Sequence, residues 1–171
     1  MTAIFLSIRA LHVVCAALWL GSTAMLGLFV MPAIDQLGAD AGHVMTNLQR
    51  SGLNAFMGAI GGLTVLSGLY LYWHFTAGFD PTLSGSAEGI CFGIGGLLGL
   101  AAAIVGGSVV GRGARTLAAT GATLATTTDA KMRTELLADI QRLRAQVQTF
   151  GHVVMTMLVI ATVLMAVAHY V

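Results

Sequence analysis

Hydrophobic and polar positions alternate along this chain on the scale of whole segments. Four apolar stretches stand out, at about residues 8–31, 53–75, 89–111 and 147–170. As a helix each would rise about 33 to 36 Å, enough to cross about 30 Å of hydrocarbon. The pattern therefore predicts an all-α protein, an integral membrane four-helix bundle. Pro32 follows the first stretch and predicts a helix exit there. The polar segment from Ala33 to Gly52 carries Asp35, Asp40, His43, Asn47 and Arg50, and predicts a loop with room for a short interfacial helix. The second stretch ends in Tyr70-Leu71-Tyr72-Trp73-His74-Phe75, a cluster of rings expected at a membrane–water boundary. Gly78-Phe79-Asp80-Pro81 predicts a turn.

One long polar stretch lies between the third and fourth apolar segments, from Arg112 to Gln146. Its first part has five threonines between Thr116 and Thr127, together with Gly113 and Gly121. That composition predicts a segment that is weakly helical at best. From Asp129 the pattern changes. Met132, Leu136, Ile140, Leu143 and Val147 recur at three- and four-residue intervals, with Lys131, Arg133, Glu135, Asp139, Arg142 and Arg144 on the other face. This predicts an amphipathic helix over 129–146, continuous with the fourth span and about 60 Å long with it. Such a helix would pack against the first polar loop, or lie against lipid or a partner.

Composition narrows the class. Charged residues make up 9% of the chain and hydrophobic ones 57%, whereas soluble domains carry about 25% charged residues. A soluble globular enzyme is thereby excluded. A net charge of +1 without a basic run excludes nucleic acid as a partner and leaves membrane lipid. The first apolar segment has neither a basic leader nor a small-residue cleavage pattern, and reads as a retained span. Cys15 and Cys91 lie within or at the edge of apolar segments, which speaks for buried thiols and against a disulfide framework. The cations sort by side: Arg50, Arg112, Arg115, Lys131, Arg133, Arg142 and Arg144 occupy two loops, and Arg9 alone lies opposite. By the positive-inside rule those loops are cytoplasmic and both termini are outside.

The candidate chemistry gathers at the outer end. His12 and Trp19 are close to two helical turns apart and share a face, with Cys15 or Ala16 between them. An ionisable side chain inside an apolar helix usually faces the bundle interior and marks a function. His74, Met165 and His169 belong to the same end. His12 with His74 or His169 could ligate one haem b, with Arg9 meeting a propionate and Trp19 on the ligand's face. His12, Cys15, His74, Met165 and His169 together contain the ligand types that suit copper(I). A boundary populated by amphipathic aromatics and singly bonded histidines, in a cofactor-free structural or assembly subunit, is the third possibility. Gly95, Gly99, Ala103, Gly107 and Gly111 recur every four residues and form a stripe without bulk. It suits close helix packing, a flat ring, or a homo-oligomer or other membrane-complex partner. No nucleophile–base arrangement, phosphate loop or carboxylate pair is present, and Asp and Glu are absent from the span interiors.

The first span, with Ala10-Leu11-His12 and Trp19-Leu20-Gly21 followed by Pro32, resembles the opening helix of a group of small four-helix bacterial membrane proteins. Two families share that opening: the copper-resistance D membrane domain and the membrane protoporphyrinogen oxidase, a haem b protein. The resemblance covers about 30 residues. It implies a bacterial inner (cell) membrane location, a role in copper uptake or in redox and haem chemistry, and His12 as a candidate axial ligand. The third span has no lysine and no Asn-Glu-x-Pro-Thr run opens the fourth, so His12 alone carries over from the oxidase.

Overall fold

The computed structural model describes residues 3–37 and 41–171, and every described element is helical. Four helices are long and apolar enough to cross a membrane: α1 (Ala3–Asp35), α3 (Leu53–Phe75), α4 (Ala87–Thr126) and α5 (Ala130–Tyr170, closing in a 3-10 turn). A short helix α2 (Ala41–Arg50) precedes α3, and a single turn at Pro81–Ser84 precedes α4. This is the architecture of a multi-pass membrane bundle. The helices alternate in direction, so the starts of α1 and α4 meet the ends of α3 and α5 at one end. Around the bundle α1 packs on α3, α3 on α4, α4 on α5, and α5 returns to α1.

Helix starts are set by local polar groups. The Asp80 carboxylate accepts from the Thr82 and Leu83 N–H groups at 2.9 and 3.2 Å, Ser86 Oγ from Gly89 N–H at 3.0 Å, and Asp129 Oδ1 from Met132 N–H at 3.0 Å. Each satisfies a donor that the first helical turn would leave unpaired. Gly52, at φ +87°, makes the left-handed turn that folds α3 back from α2.

Two expectations are corrected. Pro32 does not end the first helix, which continues to Asp35. A π turn at Leu26–Val30 stands just before it, with Met31 N–H bonded to Leu26 O, and it opens the ladder where the proline ring would press on the preceding turn. Residues 112–126, expected to be weakly helical, extend α4 without a break. The threonines there satisfy themselves locally: Thr116 and Thr123 each donate to the carbonyl four residues back at 3.1 Å. Tertiary packing does the rest. Ala114 and Leu117 are buried, and Gly113 and Gly121 are points of close approach, against Val147 of α5 and Gly42 of α2.

Two cores result. Within the spans Trp19, Ile60, Ala102, Val154 and Leu158 pack together. Beyond them Ile34, Ala41, Met45, Leu117 and Ile140 join the end of α1 to α2, the α4 extension and the amphipathic start of α5.

Candidate functional site

At the end that holds the termini, His12 is anchored to α3. Its Nδ1 lies 3.0 Å from Thr64 O and 3.1 Å from Ser67 Oγ. A carbonyl only accepts, so the bond to Thr64 O places a proton on Nδ1. Ser67 Oγ in turn donates to Leu63 O at 2.5 Å. The ring lies over Gly68, where a Cβ would stand 2.9 Å from His12 Cε1. Bare backbone at that position is what lets the imidazole reach α3.

The other predicted site residues have separate partners. His74 is exposed and makes tilted ring contacts with Phe5 at 4.7 Å between centroids and with Tyr70 at 6.2 Å. Its Cα is six residues past Gly68, about 9 Å along α3 from the level of the His12 ring. His169 pairs through Nδ1 with Glu88 and meets Phe92 edge-on at 5.5 Å. Met165 fills the notch at Gly95, with Cγ and Cε 3.1 Å from where a Cβ would be. Cys15 is buried as a free thiol, and Arg9 is exposed. Among the described residues no three of His, Cys, Asp and Glu converge on a point that could hold a metal ion. His12 is bonded to Thr64 and Ser67, and His74 packs on Phe5 and Tyr70, so the two rings have separate partners.

The concave site lies toward the opposite, arginine-bearing end. There the four long helices and α2 line a partly open cavity of about 1200 Å³, above the usual 300–1,000 Å³ of small-molecule pockets. Its inner wall is apolar: Trp19, Leu26, Met57, Ala103, Gly107 and Val154. Both π turns border it, Leu26 and Gly27 from the first, and Gly106, Gly107 and Val110 from the second at Gly106–Val110. A π turn leaves a backbone carbonyl outside the regular ladder, and such turns are frequent at functional sites.

Trp19 joins the two readings of the first helix. It is 5% exposed, lies flat against Gly61 and borders the cavity. The small-residue stripe divides its roles. Gly95 receives Met165, while Ala103, Gly107 and Gly111 thin the cavity wall. The polar mouth holds Arg50, Arg115 and Arg144, with Asp35 bridging to Arg144 at 3.4 Å.

Sequence reasoning found Trp19 and the arginines but not the cavity. Spacing placed Trp19 with His12, whereas π turns have no periodic signature in the sequence. Comparison of the chain with protein-family models, with curated proteins and with solved structures finds no match.

Proposed function

We propose that this chain is a bacterial cell-membrane protein, termini outside, that binds an amphiphilic small molecule in the cavity between its four long helices. The arginine-bearing mouth then opens on the cytoplasmic side. The observation that carries the reading is the cavity itself, bordered by the two π turns and by the Trp19 side chain. Glycines at its wall give room for a bulky apolar body. A Cβ at Gly58 or Gly107 would meet nothing within 4 Å, so leucine at these positions fills the cavity and leaves the packing of the helices intact. The test is mass spectrometry of the detergent-purified protein for a co-purified molecule. The wild type carries one, and Gly58→Leu with Gly107→Leu loses it while keeping its thermal transition within a few degrees. A molecule retained at full occupancy in that variant overturns the cavity as its site.

A second reading rests on His12. Metal-bound histidines commonly donate their other ring N–H to a carbonyl, as Nδ1 does here to Thr64 O, and this leaves Nε2 for haem iron or copper. An absorption spectrum, oxidised and then dithionite-reduced, with metal analysis of the same sample, tests it. A Soret band or stoichiometric copper that disappears in His12→Ala supports the reading, and a colourless, metal-free protein expressed with ample haem and copper defeats it.

A further inference from the structure

The mouth of the cavity continues into a second depression of about 550 Å³, formed where α2, the start of α3 and α4 meet. Thr46, Gln49, Arg50, Asn54 and Arg115 border both spaces. The charges there are one-sided. Arg50, Arg115, Arg133 and Arg144 line the large cavity, and Asp35 is the one carboxylate among its lining residues. Two of these arginines are engaged within the fold. Arg144 bridges to Asp35 at 3.4 Å, and Arg133 donates to Leu124 O and Thr127 O at 3.2 and 2.9 Å. Arg50 and Arg115 are exposed and make no ion pair or hydrogen bond among the described residues. Beside them Asn54 Nδ2 donates to Gln49 Oε1, which fixes the Gln49 amide and leaves both its N–H groups as donors.

We infer that the molecule in the cavity is an anionic amphiphile whose phosphate is held at the mouth by Arg50 and Arg115. The inference rests on the cavity reading and deepens it. Two guanidinium groups and an amide donor around one depression make a site for an oxyanion, because planar N–H pairs match its oxygens. Behind it the wall turns apolar as far as Trp19. Trp19 and Asp35 are 16 residues apart on α1, so an apolar body up to about 24 Å long has room to lie along that helix. A membrane lipid with an anionic head meets both demands, whereas free phosphate meets the first alone.

The protein's own fluorophore reads this out. Of its two tryptophans, Trp73 is exposed and is replaced by phenylalanine, which leaves Trp19 to report on the cavity. The full chain is placed in phosphatidylcholine nanodiscs and titrated with a monoacyl phosphate brominated along its chain, with the equally brominated monoacylglycerol, and with inorganic phosphate. The expected result is saturable quenching of Trp19 by the acyl phosphate. Its half-saturating concentration rises about tenfold or more in Arg50→Gln with Arg115→Gln, and stays unchanged in Arg112→Gln, which is on the same helix but off the cavity. Equal saturable quenching by both brominated probes, unaffected by the arginine substitutions, keeps the cavity and overturns the anionic head. The same loss in Arg112→Gln reduces the effect to general surface charge and overturns it too. Quenching that does not saturate with either probe removes the cavity reading and the inference with it. Thermal stabilisation by inorganic phosphate that needs Arg50 and Arg115, without quenching by the acyl phosphate, assigns the mouth to a soluble anion and overturns the amphiphile.

Discussion

His12 shows what a single polar residue in an apolar helix requires of its neighbours. Its Nδ1 is met by one backbone carbonyl and one hydroxyl on α3, and it reaches them because Gly68 has no side chain. Gly68→Ala therefore displaces the ring. The expected cost is about 1 to 3 kcal/mol, from overpacking and from a polar group cut off from its partner. Thermal unfolding in detergent measures it, and Gly68→Ala combined with His12→Ala recovers most of the loss because the clash then has no second party. Alternation of the spans grouped His12 with His74 and His169 at one end, as candidate ligands of a haem or of copper. Sharing one end of a bundle does not say which atoms a ring meets, and here each ring meets a different set.

Among the elements, α4 differs most from expectation. Threonine and glycine between residues 112 and 127 argue against a helix when weighed as isolated propensities. In place, the threonine hydroxyls bond within the helix, and the glycines are where α5 and α2 come close. A Cβ at Gly113 would stand 2.7 Å from Val147 Cγ2, so Gly113→Ala is expected to destabilise the α4–α5 contact although alanine is the better helix former by about 1 kcal/mol. Val147→Ala restores room, and the double variant regains stability relative to Gly113→Ala alone, as a thermal double-mutant cycle reads directly. Recovery of nothing in that cycle would mean that Gly113 does not face Val147. Pro32 carries a related lesson. A proline marks a break in an α-helical ladder, but the π turn before it moves the ladder's bonds, and the helix goes on.

On the scale of the whole molecule, the two cores divide the labour. The cluster around Trp19 holds the spans together, and the cluster around Ile140 holds the extensions beyond them, with the cavity between the two. The sequence by itself determined the all-helical class, the four long apolar helices and the amphipathic repeat that runs into the last of them. These follow from segment length and from periodicity, which are properties of each helix alone. It also determined that seven of the eight lysines and arginines fall in two polar segments, 33–52 and 112–146, although the structure folds the stretches that carry them as helices rather than loops. Tertiary structure alone decided that two of those arginines share one depression, that two π turns border one cavity, and that Trp19 lies against Gly61. The physical reason is that a cavity belongs to the gap between helices. Its size depends on which faces meet and where the backbones widen, and no residue encodes that apart from its neighbours.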